Sequence, residues 1–240
     1  LGFGVTREAD VFSVAVPSWR SDVDGEADLV EEVTRIHGYH RVPAVPLDTG
    51  GRVTHPALTP VQRRGPWATR ALAARGLQEV VTWSFTSAAW LDLFGGVRED
   101  LRLANPISSE LDVMRPSLLP NLIIAAGRNV DRGAQDLGLF EVGPSWRDPT
   151  PEGQDRVAAG LRRGRNGPRH WLEEPRPVDA FDAKADALAA LEAAGAPVAS
   201  LQVADEAPSW YHPGRSGTLR LGPKSILAAF GEVHPRVLDR

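Results

Sequence analysis

Four prolines and two glycines fall within the nineteen residues VPAVPLDTGGRVTHPALTP, Val42 to Pro60. Proline fixes φ and removes a backbone donor, so neither a helix nor a central strand can run through such a stretch. It reads as a linker, with a domain boundary inside it, that divides the chain into a small module and a larger one. With 240 residues, 42% of them hydrophobic and 24% charged, the larger module is long enough to bury a sizeable core.

Several classes are excluded early. There is no cysteine, which removes disulfides, thiolate nucleophiles and cysteine-type zinc sites, and fits a reducing, cytosolic setting. The formal net charge of -4 speaks against a broad basic surface for nucleic acid. No apolar run approaches the ~18 residues of a membrane span, and the first residues, LGFGVTREADVF, lack a basic segment followed by an apolar core. The chain opens on Leu1 in what reads as the middle of a strand, so an excised part of a longer protein is expected.

Strand and helix signals alternate irregularly. VFSVAV, residues 11–16, has the period of a strand; from Asp28 the period becomes helical, with Leu29, Val33 and Ile36 on one face, Asp28, Glu31, Glu32 and Arg35 on the other, and Gly38 as the C-cap. Beyond the linker a helix is expected from Pro60 to Arg75, closed by Gly76, then a strand QEVVTWSF and a short helix capped by Ser87 that stops at Gly95-Gly96. A helix across Ser117 to Val130 follows, then strands LGLFEVGPSW and RVAAGLRRG, a surface loop over 165–178 and a helix DAFDAKADALAALEAAG ended by Gly195. RSGTLRLGPKSILAAFGEVHP reads as two strands joined at Gly222-Pro223-Lys224. Hairpin-like runs mixed with helices predict an α+β fold, an antiparallel sheet with flanking helices, rather than repeated βαβ units.

Six of the eleven residues DVDGEADLVEE, Asp22 to Glu32, are acidic. At helical spacing Asp28, Glu31 and Glu32 share one face, and Asp22 can fold back onto it. Hard oxygen ligands suit magnesium or calcium. Spacing alone favours the simpler account, in which first-turn acids complement the helix macrodipole and Glu31 pairs with Arg35 at i+4. His212-Pro213 and His234-Pro235 read as defined turns. No phosphate-binding glycine loop occurs, and LRRGRNGPRH, residues 161–170, reads as an exposed arginine-rich hairpin or loop.

Six ordered blocks, PSWRSDVDGEADLVEEVTRIHGYHRVP, NPISSELDVMRPSLLPNLI, FEVGPSW, VDAFDAKAD, HPGRSG and FGEVHPRVL, together resemble the phenylalanyl-tRNA synthetase beta-subunit family across essentially the whole chain. The resemblance implies that residues 1–47 are the C-terminal part of the B-five domain, a small α/β winged-helix-like fragment. It implies that 48–240 form a class II aminoacyl-tRNA synthetase-like core. It further implies a magnesium ion at Asp22, Asp28, Glu31 and Glu32, shared with a catalytic alpha subunit, in a heterotetramer of two alpha and two beta chains that acts on ATP, phenylalanine and tRNA in the cytoplasm. The family's editing and anticodon-binding modules are not expected within these residues.

No catalytic or cofactor-binding residue is expected here. Class II sites clamp ATP phosphates with an arginine in the second signature motif, but Glu141 and Gly143 occupy the middle of the corresponding strand, and no glycine-rich third motif precedes Arg240. Met114, Leu118, Leu119, Leu122 and Ile123 exceed one amphipathic stripe and suit either the core or a partner face. Two rival readings are a nucleic-acid-binding winged-helix-like module and a synthetase paralogue with an adaptor role.

Overall fold

The computed structural model describes residues 1–48, 50, 55–168, 170–172 and 174–239. Part of the expected linker (49 and 51–54), Arg169 and Glu173 of the expected loop, and Arg240 lie outside the described residues. The chain forms two compact units, Leu1–His55 and Pro56–Arg240.

In the first unit, β1 (Gly4–Glu8) and β2 (Val11–Ala15) form an antiparallel hairpin in which Gly4 faces Ala15 and Glu8 faces Val11. Helix α1 (Glu26–His37) starts two residues earlier than its apolar period suggested, because Asp28 caps it: its Oδ2 accepts from the backbone N–H of Asp24 and Gly25, at 2.9 and 2.8 Å. Gly38 closes the helix at φ 111°, as expected, and its N–H donates to the Thr34 carbonyl. The apolar face of α1 is not the one buried within this unit. Val33 and Ile36 are 66% and 65% exposed, whereas Glu32 is buried. Only Val23 and Glu32 are buried among the described side chains of this unit, so an ion cluster, rather than an apolar core, fixes which side of α1 turns inward.

The second unit is a mixed α+β structure with small antiparallel sheets, as the irregular alternation predicted. Its elements are α2 (Pro60–Ala74), β3 (Gln78–Glu79), β4 (Phe85–Thr86), α3 (Ala88–Leu91), β5 (Val113–Met114), α4 (Leu119–Asp131), β6 (Leu137–Trp146), β7 (Gln154–Arg163), α5 (Ala180–Ala193), β8 (Gln202–Ala204), β9 (Tyr211–Arg220), β10 (Ile226–Val233) and α6 (Pro235–Leu238). The sheet β3-β6-β7 is built on one long hairpin running from the pair Leu137/Arg163 to the pair Trp146/Gln154. β3 adds a short parallel edge. A second sheet has the order β10-β9-β8, and β4 pairs with β5.

Alternation along β6 sorts the core into two faces. Leu139 packs with Leu118, Leu122 and Ala126 around α4, while Phe140 packs with Leu72 of α2, Leu77 and Ala190 of α5. Opposite Phe140 stands Gly160, where a Cβ would lie 3.3 Å from Leu77 Cδ2, a tight contact that the Leu77 side chain would have to yield to by a few tenths of an ångström. Helix α5 opens with the capping box of Asp179 and Asp182. Its Asp186 accepts from Arg75 Nε at 2.5 Å and Arg162 Nε at 2.6 Å, which ties α5 to the end of α2 and to β7.

Two expectations need correction, and one left open between core and partner face falls to the core. QEVVTWSF is not one strand: after Val80 donates to the Phe140 carbonyl, the chain leaves the sheet edge so that Thr82 can reach Glu141 and the Ser84 carbonyl can accept from Arg115 N. Ser87 precedes the short helix but does not cap it with its side chain; the Ala88 N–H is taken by Asp112 Oδ1 at 2.9 Å. Leu118, Leu119 and Leu122 are core, at most 7% exposed, and Met114 and Ile123 pack partly against buried clusters.

Candidate metal centre

The acidic corner of the first unit is organised around Arg20. Its guanidinium grips Asp22 bidentately, Nε to Oδ1 at 2.8 Å and Nη2 to Oδ2 at 2.7 Å, and Glu32 as well, Nη1 to Oε2 at 2.8 Å and Nη2 to Oε1 at 2.9 Å. From the other side Arg35 donates Nε to Glu32 Oε1 at 2.9 Å and Nη2 to Oε2 at 2.6 Å. Phe3 lies 5.8 Å from the Arg20 guanidinium, within cation–π range. Arg35 therefore pairs with Glu32, not with Glu31 as the i+4 spacing suggested. Glu31 is exposed and makes no side-chain hydrogen bond or ion pair among the described residues.

The four residues expected to hold a cation thus have three different environments. Asp22 and Glu32 share Arg20, Asp28 caps α1, and Glu31 is open. Their oxygen chemistry suits magnesium, but they do not converge on one point, and among the described residues no group of three His, Cys, Asp or Glu could hold a metal ion. In this conformation the corner does not fit the ion. Arg20, the organising residue, was missed from the sequence; its only signal is a lone base in PSWRSD, two residues before the acidic run.

Hydrogen bonds from Arg20 first and Arg35 second hold the Glu32 carboxyl far below the usual carboxylate range. Arg20 lowers Asp22, and the backbone N–H groups of Asp24 and Gly25 lower Asp28. Carboxyls depressed on folding stabilise above their unfolded pKa, about 4, and lose that contribution as pH falls through the folded values. The stability of the first unit is therefore expected to stay flat from about pH 7 to 5 and to drop below about pH 4. Hydrogen exchange of the α1 amides checks this; a loss beginning near pH 6 would point to histidine instead.

A second polar cluster sits at the centre of the β6–β7 hairpin. Arg115, 1% exposed, donates Nη2 to Glu141 Oε1 at 2.8 Å, Nη1 to Thr82 Oγ1 at 2.8 Å and Nε to the Pro144 carbonyl at 3.0 Å. Glu141 Oε2 accepts from Thr82 Oγ1 at 2.6 Å. Position 143 is glycine because a Cβ there would lie 2.8 Å from Arg115 Nη2. The expected turn at His212 is corrected: it lies within β9, with Nδ1 accepting from Gly214 N, whereas His234 opens α6 with Nδ1 accepting from Arg236 N.

Comparison with known proteins places the chain among the tRNA synthetases: residues 1–39 match the family model of the tRNA synthetase B5 domain, and residues 49–240 that of the phenylalanyl tRNA synthetase beta chain CLM domain. The chain belongs to the phenylalanyl-tRNA synthetase beta chain family. It is 58% identical over 240 residues to the phenylalanine–tRNA ligase beta subunit of Paramagnetospirillum magneticum, covering 100% of the chain and 30% of that protein. To the beta subunit of Rhodospirillum rubrum it is 57% identical, covering 96% and 28%. The chain thus spans about 30% of the length of such relatives. Among solved structures, a pyrrolysyl-tRNA synthetase from Desulfitobacterium hafniense superposes with a TM-score of 0.49 at 18% identity, over 70% of this chain and 54% of that one.

Proposed function

We propose that this chain is the part of a phenylalanine–tRNA ligase beta subunit that serves as a non-catalytic platform for the catalytic alpha subunit. The whole enzyme, two alpha and two beta chains in the cytoplasm, attaches phenylalanine to its tRNA at the expense of ATP. In this reading residues 48–240 are a class II-like core that has lost its own chemistry, and residues 1–47 are a B-five fragment of winged-helix-like outline.

The observation that carries the platform reading is the closed centre of the β6–β7 hairpin. Where the resemblance to class II strands calls for a phosphate-clamping arginine there is Glu141, a carboxylate whose oxygens are occupied by Arg115 and Thr82. With its one arginine, Arg115, buried and spent on Glu141, the cluster offers a triphosphate no free cation. Magnesium shared with alpha belongs to this reading as a property of the assembled enzyme. Asp28 Oδ1 and Glu31 are the donors open to it, while Asp22 and Glu32 would first have to exchange Arg20.

The purified chain is expected to give no phenylalanine-dependent ATP–pyrophosphate exchange above the enzyme-free blank, and to co-purify with a co-expressed alpha subunit. Exchange by the chain alone would overturn the platform reading; failure to capture alpha in its full-length context would favour the adaptor paralogue. No observation favours nucleic acid as the partner of the first unit, whose α1 presents Glu26 and Glu31 to solvent.

A further inference from the structure

We infer that Arg20 is the built-in cation of the acidic corner and competes with a divalent ion for Asp22 and Glu32. A carboxylate offers about four acceptor sites. Glu32 fills four, two from Arg20 and two from Arg35, so an incoming metal must displace an N–H before it can bind there. Asp22 gives both oxygens to the same guanidinium. In charge, two arginines balance these two acids, which removes the mutual repulsion that otherwise makes an acidic cluster attract a cation. Asp28 is partly occupied in its capping role, and Glu31 alone is wholly free.

The geometry also explains how an arginine can do this where a lysine would not. The planar fork of Arg20 meets two carboxylates at once along its edges while Phe3 covers the ring-like face, an arrangement open to five fixed donors but not to one ammonium point charge. Arg20 thus sets how tightly the corner holds a divalent ion, weakening the affinity of Asp22 and Glu32 for magnesium while keeping α1 in place.

Magnesium titration of the 240-residue chain, read by calorimetry and by the thermal midpoint of the first unit, tests this without alpha subunit or ATP, so its outcome is independent of the platform reading. The wild-type chain is expected to show no saturable binding below about 1 mM. Arg20→Met, which frees Asp22 and leaves Glu32 to Arg35, is expected to bind magnesium at least about tenfold more tightly, with the ion recovering stability that the substitution loses. Arg20→Lys should fall between the two. Saturable wild-type binding below about 1 mM, or an Arg20→Met chain that binds no better than wild type, would overturn the inference. Should Arg20→Met fail to fold even with magnesium, Arg20→Lys decides: an affinity equal to or below that of the wild type overturns it, and a tighter one supports it.

Discussion

Arg115→Met is expected to lower the unfolding free energy of the larger unit by about 3–5 kcal/mol, a large fraction of what such a domain possesses. The expectation rests on asymmetry. Forming a buried ion pair gains little, since desolvating both charges offsets their attraction; removing one partner leaves the other charged and buried. After the substitution the Glu141 carboxylate keeps only Thr82, and the Pro144 carbonyl and Thr82 hydroxyl each lose a donor. Urea denaturation followed by circular dichroism gives the number. The control is the double substitution Arg115→Met with Glu141→Leu, which removes both charges and should recover most of the loss. A single substitution costing less than about 1 kcal/mol would mean that water reaches the cluster.

Phe140→Ala is expected to cost a similar amount, about 3–5 kcal/mol, for an unrelated reason. Its ring is fully buried at the junction of α2, the Leu77 segment and α5, so truncation leaves a cavity lined by three elements that cannot all close in. Phe181, on the same helix α5 but 74% exposed, is the matched comparison: Phe181→Ala should stay within about 0.5 kcal/mol. Equal effects at the two positions would show that α5 does not pack as described.

These contrasts indicate what the sequence could reveal. The positions of α2, β6, β7 and α5 were legible because their signals are local: a glycine after the last turn of each helix, helix formers throughout α5, and strand-like runs over Leu137–Trp146 and from Arg156. What failed was decided at a distance. The break in QEVVTWSF depends on Arg115 and Glu141, the latter 59 residues beyond Thr82. Which face of α1 is buried depends on Arg20, twelve residues before Glu32. Periodicity sorts faces by hydrophobicity, and in α1 it does not mark the buried one, because a doubly paired carboxylate turned inward in place of Val33 and Ile36. Of the four acids selected by resemblance, none can be told from the others in sequence; their different partners separate them only in three dimensions.

The bond between Arg75 at the end of α2 and Asp186 in α5 joins residues 111 apart in the chain. During synthesis at about 5–20 residues per second, the ribosome needs roughly 5–20 s to add that interval. Helix α2 therefore emerges long before α5, and the side of Leu72 that Ala190 will cover stays open until α5 is made, while the β6–β7 hairpin, which brings Phe140 to Leu72, can close almost as soon as its second strand is made. The interval between synthesis of α2 and synthesis of α5 is thus when a chaperone or an early partner would have its longest access to the face of α2 that α5 covers.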